Sequence, residues 1–553
     1  MMDVKTERKE TCDCLIIGGG LTAHIACLEL AKKGHQVIML RTGAGASPGI
    51  SGFNIPLAEP ADSVGAYIAD TVVSGRNQGD PALVEALCKD SVELIAYLEE
   101  LGFRFDYTGD GRLKFRKSLG SSFGRVVGKG NSSGASIMAV VHKRLKEYDN
   151  VVILENTRAL RLIKEDAAVC GAYLYDLKKK EFVTARSKAV LMASGGFCGI
   201  FPFTSNPEDS SGDGAAMALL AGARLTDLEF IQFEPSSAVY PEAIRGKGMI
   251  TTLFYEGAVM TNGLGERFML NYSDQAERVN KDVLSKCIAR EILEGRGSPH
   301  GGIYFDATGV DRERMHDYYQ PFIDRYSAVG IDLLEEPVEL GNAAHTALGG
   351  ILIDETCRTD VEGLFAAGEA AGHLHGANRV GGSAGTETLV FGRRAADAMS
   401  AYIDGKARPA EGAVAFHRGK VKLREEEVFD IREKMRELLG QNLGVFREEK
   451  SLEETCAVLR SFYETVRNAP FGEDNEGNYR LLRLENDLLA ALALSMSARE
   501  RKNSCGCHQR LDYPEDPGSS FRTEVTMEQE LPVVTAVLNK GSNLKHYHRR
   551  KMQ

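Results

Sequence analysis

Three consecutive glycines, residues 18–20, separate an apolar segment from a helix-forming segment near the start of the chain. The apolar residues 14–17 predict a β-strand, and residues 21–31 predict a helix that a glycine ends three positions later. Residues 37–40 predict the next strand. This order of elements is that of a βαβ unit, so the fold class predicted here is α/β with a Rossmann-like parallel sheet.

The glycine turn follows the pattern GxGxxA, with Gly18, Gly20 and Ala23 at its fixed positions. Gly18 permits the tight turn, Gly20 lets the backbone approach a pyrophosphate, and Ala23 is small enough for close packing of helix on strand. The free N–H groups near Leu21 and Thr22, together with the positive end of the helix dipole, attract phosphate. We therefore predict a dinucleotide site at this turn.

The second strand ends at Arg41 and Thr42, where an acidic residue usually binds ribose in such a unit. An arginine here suits a cofactor with a 2′-phosphate. It also suits a site in which another residue holds the ribose. Later segments favour this second interpretation, with Glu369 as the candidate for ribose contact.

Further glycine-rich segments along the chain are typical of backbone that approaches a ligand closely. They are the loop 43–54, the end of an apolar strand at 189–193, a Gly-Asp-Gly turn at 212–214, and two turns near 368 and 382. The candidate cofactor contacts in these segments are Ser51, Gly52, Phe53, Asn54, Ala193, Ser194, Gly195, Gly196, Asp213, Gly368, Glu369 and Ser383.

The composition excludes several classes of function. The net charge of −11 gives no basic face for nucleic acid. No run of about 18 uncharged apolar residues is present, and the N-terminus lacks the apolar core of a signal peptide, so we expect a cytoplasmic protein without a membrane span. Eleven cysteines without metal-ligand spacing predict neither a disulfide framework nor a metal cluster.

Taken in order, these segments resemble the flavoprotein subunits of fumarate reductase and succinate dehydrogenase, a superfamily that includes L-aspartate oxidase. The resemblance spans almost the whole chain. The segments that carry it are 16–20 (IIGGG), 193–197 (ASGGF), 212–214 (GDG), 228–233 (LEFIQF), Asn262, 265–269 (GERFM), 345–351 (HTALGGI), 363–369 (GLFAAGE), 376–382 (GANRVGG), 391–393 (FGR) and 510–514 (RLDYP).

The resemblance implies a Rossmann-like FAD-binding domain built from residues 10–235 and 340–405. It implies an inserted α+β capping domain over 236–339, which holds the substrate, and a C-terminal helical domain with a tail over 410–553. Hydride would pass between flavin N5 and a carbon near a carboxylate of a small substrate. Members of the family often pass electrons to an iron–sulfur or haem partner. Because the loop 43–54 lacks the histidine to which many members attach flavin, we expect FAD to be bound without a covalent link.

By the same resemblance, His345 and Arg379 stand where the family binds substrate carboxylate. The alternatives are a hydrogen-bonded core histidine and a structural ion pair. The family's catalytic arginine is Lys281 here, in Lys-Asp-Val. An arginine-to-lysine change replaces a bidentate fork by a titratable point charge, so we predict that Lys281 supplies positive charge and a proton at the reacting carbon. The alternative is a solvated lysine on the surface of the cap.

The remaining equipment of the family is changed. A histidine of the family is replaced by Glu234, and the segment that carries the family's proton relay holds Thr251 and Phe254. A glutamate beside the flavin would repel a second carboxylate, or bind a cationic or hydroxylated group. We therefore predict an FAD oxidoreductase for a carboxylate other than simple fumarate or succinate. A monocarboxylate, an enoate or an amino-acid-like compound would fit.

Two other functions stay open at this point. The chain would serve as a flavin-carrying electron-transfer subunit if the changed pocket has lost its own chemistry. It would alternatively be an enzyme of the adenylylsulfate reductase type. Cys505 and Cys507 stand in a segment where the family has Ser-Arg-Gly-x-His. They are interpreted either as two ordinary thiols or as a redox pair near a partner surface.

Overall fold

The computed structural model describes residues 8–57, 62–407 and 423–539. Helices and strands are numbered in chain order. The helices are α1 (Leu21–Lys32), α2 (Val64–Ser74), α3 (Pro81–Asp90), α4 (Leu94–Leu101), α5 (Ser133–Leu145), α6 (Asp213–Leu220), α7 (Lys281–Leu293), α8 (Arg312–Ser327), α9 (Ser383–Ile403), α10 (Glu425–Asn442), α11 (Glu449–Arg467) and α12 (Asn475–Glu500).

Strands occur in the FAD-binding region, in the cap and near the C-terminus. They are β1 (Arg8–Ile17), β2 (Val37–Arg41), β3 (Phe53–Asn54), β4 (Val126–Val127), β5 (Val151–Glu155), β6 (Thr157–Glu165), β7 (Ala168–Asp176), β8 (Glu181–Met192), β9 (Leu225–Thr226), β10 (Ile231–Ala238), β11 (Val259–Thr261), β12 (Ile303–Asp306), β13 (Val338–Ala347), β14 (Gly350–Ile351), β15 (Leu364–Ala366), β16 (Phe446–Arg447), β17 (Gln509–Arg510), β18 (Phe521–Glu528) and β19 (Leu531–Leu538).

The central sheet has the order β5-β2-β1-β8-β7-β6, and β15 also pairs with β8. Strands β5, β2, β1, β8 and β15 are parallel, whereas β7 joins β8 and β6 in antiparallel pairs. The parallel strands read as continuous apolar runs because both faces of the sheet are covered. The chain leaves β1 for β2 on one side and places β8 on the other, which opens a crevice at the carboxyl ends of these strands.

Helix α1 is buried on all sides between the sheet and neighbouring helices, with ten of its twelve residues buried. It packs so closely on α9 that a β-carbon added at Gly392 would lie 3.1 Å from Ile25. This packing holds the N-terminus of α1 at the crevice. The predicted βαβ unit is thereby confirmed, with the helix one residue longer than expected.

The cap is a sheet of order β10-β13-β12-β11 covered by α7 and α8, with its own apolar core. Its strands β10 and β13 run through the boundaries predicted at 235/236 and 339/340, because each continues from the FAD-binding region into the cap without a break. The C-terminal region contains α10, α11 and α12 as predicted. Residues 408–422 and 540–553 of that region lie outside the described residues.

The tail that follows the predicted helices contains a β-hairpin, which was not predicted from the sequence. Strands β18 and β19 pair with each other, and β18 adds to β9 and β14 of the FAD-binding region. The turn places Gln529 and Glu530 at φ +46° and +71°. The sequence hid this hairpin because neither residue is the glycine or asparagine that such a turn favours. Within the described residues, no helix is long and apolar enough to cross a bilayer.

Candidate active site

A cavity of about 210 Å³ lies where the crevice at the strand ends meets the N-terminus of α1. The glycine turn after β1 forms one wall, and the loop at 43–47 forms another. The far wall comes from the end of β8 and the start of α6. This is the place where doubly wound sheets bind dinucleotides.

The N-terminus of α1 is open to the cavity. Its N-cap is Gly20, which has no side chain to cap the helix, and the first intrahelical N–H bond is from His24 to the Gly20 carbonyl. The N–H of Leu21 donates to Ser47 Oγ at 2.9 Å. A β-carbon at Gly20 would lie 2.9 Å from the same Ser47 Oγ, so the approach to the helix end depends on glycine. The exposed N–H groups and the helix dipole suit a pyrophosphate.

Other walls of the cavity carry polar atoms that fit a nucleotide. Ser194 Oγ is buried and has no hydrogen-bond partner among the described residues. Asp213 lines the cavity and accepts from Arg158 at 2.9 Å, and Asp209 pairs with the same guanidinium. A buried hydroxyl without a partner is costly unless a ligand satisfies it. The residues therefore fit the FAD that the glycine pattern predicts.

Glu369 closes the inner end of the cavity. Its Oε1 accepts the Ala347 N–H at 3.0 Å, and a β-carbon at Gly196 would lie 2.6 Å from the same oxygen. Burial raises the pKa of Glu369 to about 7, although the hydrogen bond from Ala347 lowers it by a smaller amount. Since Ala347 ends β13, Glu369 joins the dinucleotide cavity to the strand that carries His345.

The structure divides the predicted cofactor residues into two groups. Those that line the cavity are Gly18, Gly20, Leu21, Thr22, Thr42, Ala193, Ser194, Gly195, Asp213 and Glu369. Those that lie outside its lining are Ala23, Arg41, Ser51, Gly52, Phe53, Asn54, Gly196, Gly368 and Ser383. Arg41 instead pairs with Glu155. Asn54 donates to Ser383 Oγ and packs the loop against α9.

Several lining residues were missed by sequence reasoning. They include Gly19, Ser47, Thr157, Arg158, Asp209, Ser210, Met217 and Thr388. Ser47 belongs to the predicted glycine-rich loop, so its position could have been read from that loop. Arg158 follows β5, the outermost parallel strand, and only the strand order places it at the crevice. No local sequence signal marks it.

A second group of polar side chains lies at the border between the cap and the FAD-binding region. Lys281 is the first residue of α7, Glu234 lies on β10, His345 on β13, and Arg379 in the loop before α9. The structure brings all four predicted catalytic residues together. The pairing of β10 with β13 is irregular on both sides of Glu234. Irregularities of this kind change the direction of a side chain and are common next to active sites.

Lys281 and Glu234 form an ion pair between Nζ and Oε2. Both side chains are largely buried, which excludes the interpretation of Lys281 as a solvated surface residue. Ser236 Oγ donates to the other oxygen of Glu234 at 2.7 Å. Burial would by itself raise the pKa of Glu234, but the charge of Lys281 and these hydrogen bonds lower it overall. The carboxylate therefore stays ionised and neutralises Lys281.

His345 is neutral in this environment. Burial lowers the pKa of His345 to about 3. The positive charges of Lys281 and Arg379 also lower this pKa, whereas the negative charge of Glu234 raises it by a smaller amount. Its Nδ1 is 2.8 Å from Ser205 Oγ, and its Nε2 lies 3.8 Å from Glu234 Oε2. The side chain remains 32% exposed. A neutral imidazole fixed at Nδ1 can offer Nε2 to a substrate.

Arg379 is a buried guanidinium that no described acidic side chain contacts directly. None of the described carboxylates lies within 4.0 Å of it, and its nearest acceptors are the Val380 carbonyl at 3.4 Å and Thr346 Oγ1 at 3.5 Å. Its Nε has no hydrogen-bond partner in the part of the chain that the structure describes. Burial lowers the pKa of Arg379, and nearby glutamates offset only part of that effect. The interpretation of Arg379 as half of a structural ion pair is thus wrong, and the geometry suits an incoming anion.

The segment that replaces the family's proton relay forms a short 3₁₀ helix at Thr251–Tyr255. Phe254 is buried in the core of the cap, against Phe305. Thr251 is half-buried, and Tyr255 is 38% exposed. These positions carry no ionised group, so the charge at the site comes from Lys281, Glu234 and Arg379.

Cys505 and Cys507 lie beneath this site. Both are buried free thiols, and burial raises the pKa of each. The Cys507 N–H donates to the Ala377 carbonyl at 2.8 Å, close to Arg379 in the chain. Reactive thiols have a lowered pKa and solvent access. The structure therefore supports the interpretation of two ordinary thiols and not that of a redox pair at the surface.

Comparison with known proteins places the chain among flavoproteins. Residues 13–384 match the FAD binding domain family, and residues 432–543 match the family described as fumarate reductase flavoprotein C-term. The chain is 33% identical over 519 residues to a fumarate reductase (CoM/CoB) subunit from Methanothermobacter marburgensis, a match that covers 91% of this chain and 95% of that protein. It is 28% identical to L-aspartate oxidase of Vibrio cholerae, over 95% of this chain and 100% of that protein.

The fold agrees with solved structures. The quinol fumarate reductase flavoprotein of E. coli superposes with a TM-score of 0.88 at 22% identity, over 97% of this chain and 98% of that one. Mycobacterium smegmatis Sdh1 gives 0.84 at 25% identity, over 97% and 95% of the two chains. The chain therefore belongs to the FAD-binding flavoprotein family that contains fumarate reductase subunits and L-aspartate oxidases, and it is an FAD-dependent oxidoreductase.

Proposed function

We propose that this enzyme interconverts an α,β-unsaturated monocarboxylate and its saturated form. The observation that carries the proposal is the charge at the site. Arg379 is a buried cation without a carboxylate partner among the described residues, whereas Lys281 is neutralised by Glu234 and His345 is neutral. Among the described cations of the site, Arg379 is thus the one that no carboxylate contacts directly, and it matches one substrate carboxylate.

Arg379 and His345 would hold that carboxylate. A guanidinium offers two parallel N–H donors to a carboxylate, and the His345 side chain, with Nε2 3.8 Å from Glu234 Oε2, remains 32% exposed. FAD, when bound, supplies hydride exchange at N5 of its ring. Lys281 would stabilise negative charge that develops on the substrate and give a proton to the carbon next to the carboxylate. Glu234 holds Lys281 in place through their ion pair, and Ser236 holds Glu234 through a hydrogen bond.

A second carboxylate fits this arrangement poorly. It would need its own cation, and Lys281 is already paired with Glu234. Removing one partner from a buried ion pair typically costs about 3–5 kcal/mol, because a charge is left uncompensated. Fumarate and succinate should therefore bind at least roughly 100-fold more weakly than a monocarboxylate of similar size.

A panel of enoates tests the proposal. The purified holoprotein is reduced anaerobically, mixed with acrylate, crotonate, cinnamate or fumarate, and followed by the return of flavin absorbance. We expect at least one monocarboxylate to reoxidise the flavin faster than fumarate does. If no enoate reoxidises it, the competing function, a flavin-carrying subunit without its own substrate chemistry, is favoured. The adenylylsulfate reductase type of chemistry has no support beyond likeness of fold.

We also propose that electrons reach the flavin from a partner protein with an iron–sulfur or similar centre. Support comes from the Methanothermobacter marburgensis relative, whose name makes it one subunit of a fumarate reductase. Comparing the rates of flavin reduction by NADH, by a reduced viologen dye and by a reduced ferredoxin tests this. Rapid reduction by NADH alone would count against a protein partner.

FAD is predicted to be released by acid, because none of the residues that line the dinucleotide cavity is histidine, cysteine or tyrosine. These are nucleophilic side chains able to form a lasting covalent bond to a bound cofactor. Precipitation with trichloroacetic acid should leave a colourless pellet and free FAD in the supernatant. A yellow pellet would contradict the prediction.

Glu369 gives a prediction about pH. Burial raises the pKa of Glu369 to about 7 in the fold, from an ordinary 4.5. Since the folded FAD-free protein binds this proton more tightly than the unfolded chain, its free energy of unfolding falls as pH rises from 4.5 through about 7. Glu369→Gln should thus stabilise the FAD-free protein at pH 8 by up to roughly 3 kcal/mol, and by little at pH 4.

Urea unfolding of FAD-stripped protein at the two pH values measures the difference. The proposed ribose contact predicts in addition that Glu369→Gln weakens FAD binding. Equal stability of variant and parent at pH 8 would mean that the pKa of Glu369 is not raised in the folded protein.

A further inference from the structure

We propose that Arg76 is a positioning residue, which fixes Lys281 through an ion pair to Asp282 and so joins the cap to the FAD-binding region. Arg76 follows α2 in the FAD-binding region, and Asp282 directly follows Lys281 in the first turn of α7. The role in catalysis rests on the proposed function, whereas the structural link does not.

The ion pair is well formed. Arg76 Nη2 donates to Asp282 Oδ2 at 2.7 Å, and the Asp282 side chain is only 3% exposed. Burial opposes the charged form of Arg76, but Asp282 raises its pKa overall. A carboxylate in the first turn of a helix also interacts favourably with the helix dipole. The contact therefore holds the start of α7 at one point, one residue from the Lys281 ammonium.

The backbone of the FAD-binding region is built to present Arg76. Its φ is +56°, a left-handed conformation that costs a residue with a β-carbon free energy and persists only where surrounding contacts enforce it. Those contacts are present on both sides. The Ala377 N–H donates to the Gly75 carbonyl at 3.0 Å, and Gln78 Nε2 donates to the Ser519 carbonyl at 3.0 Å. The same short segment therefore supports Arg76 and, through Ala377, the loop of Arg379.

A cavity of about 220 Å³ next to the ion pair indicates why an arginine is needed there. Its lining includes Arg76, Asp282, Lys286, Cys505 and Asp516. Asp282 Oδ1 is buried and has no hydrogen-bond partner among the described residues. Cys505 lines the same cavity with a short side chain, which leaves room there for a longer one. Arg76 supplies a guanidinium to Asp282 from a different segment of the chain.

Loss of the ion pair should act on Lys281 and leave Arg379 in place. The variant Arg76→Gln keeps the same demand on φ, but its shorter, neutral side chain cannot replace the guanidinium on Asp282. We expect kcat with the best enoate of the panel to fall roughly 10- to 100-fold, the effect of a small misplacement of a catalytic group, with KM changed less than about threefold. Arg312→Gln is the matched control, because Arg312 pairs with Glu335 on the exposed face of the same cap.

Two readouts need no substrate. In Arg76→Gln holoprotein, amide hydrogen exchange in the first two turns of α7 should rise, and acetylation of Lys281 by an N-hydroxysuccinimide ester, quantified by mass spectrometry, should become faster. Both should stay unchanged in Arg312→Gln. The second substitution Cys505→Arg, added to Arg76→Gln, should restore exchange protection, Lys281 labelling and kcat, because the new guanidinium reaches Asp282 across the cavity.

Unchanged exchange and labelling in Arg76→Gln would overturn the proposal. A rise in both without any loss of kcat would also overturn it, since the ion pair would then be structural only. If the parent protein turns over no enoate, the proposed function fails, and the exchange and labelling results still decide whether Arg76 fixes Lys281.

Discussion

Replacing Lys281 by methionine is expected to slow reoxidation of the reduced flavin by the best enoate at least roughly 100-fold, the size expected for loss of a general acid. Lys281 is the only described ammonium at the site. It forms an ion pair with Glu234 at the border between the cap and the FAD-binding region. Methionine keeps the length and the packing of the stem. FAD should stay bound, because Lys281 lies outside the dinucleotide cavity. Stopped-flow mixing of reduced variant with substrate measures the step.

The exposed Lys247 of the cap offers the control, since Lys247→Met removes a solvent-exposed ammonium from the same domain. It should react like the parent protein. Normal turnover by Lys281→Met would assign the proton to Tyr255, Glu234 or water and would remove Lys281 from the mechanism.

The second large effect is expected at Arg379, and it has opposite signs for activity and stability. Arg379→Gln should lower kcat/KM by a factor that corresponds to about 2–5 kcal/mol, the cost of removing one side of a buried charge pair with substrate. The same change removes a buried cation that has no carboxylate partner among the described residues. It should therefore raise the free energy of unfolding of the substrate-free enzyme by about 1–3 kcal/mol.

Arg501 is the control for the predicted rise in the free energy of unfolding. It is equally buried, but it pairs with Glu229 at 2.5 Å and Asp227 at 3.4 Å. Arg501→Gln leaves two buried carboxylates without their cation and should destabilise the protein. Chemical denaturation of the two variants beside the parent gives both changes. A loss of stability in Arg379→Gln as large as that in Arg501→Gln would show that Arg379 is structural.

Much of the fold was readable because its signals are local. The glycine turn after β1 needs only a few consecutive residues, and these specify the conformation of the backbone and the helix N-terminus that follows. The four catalytic candidates came from resemblance of short motifs. Their meeting in space follows from the fold: Lys281 and His345 both lie against Glu234, and the charge of Arg379 acts on His345. Their catalytic roles stay predictions.

The features that sequence could not supply depend on long-range pairing. The neutralisation of Lys281 by Glu234 joins residues 47 positions apart on different elements. The ion pair of Arg76 with Asp282 spans 206 positions. Arg158, the second residue of β6, reaches the dinucleotide cavity because β6 begins directly after β5, which pairs with β2. Charge partners of this kind are set by packing of whole elements, and no periodicity or local motif reports them.

The ratio of kcat/KM for crotonate to that for fumarate tests the central claim most directly, measured in the parent enzyme and in Glu234→His. We expect the parent to prefer crotonate by at least roughly 100-fold, because Arg379 is the one cation among the described residues of the site that no carboxylate contacts. We also expect Glu234→His, which frees Lys281 and restores the family's residue, to shift the ratio toward fumarate. Fumarate turnover by the parent at about 10 per second or faster, with a ratio near or below one, would contradict the account.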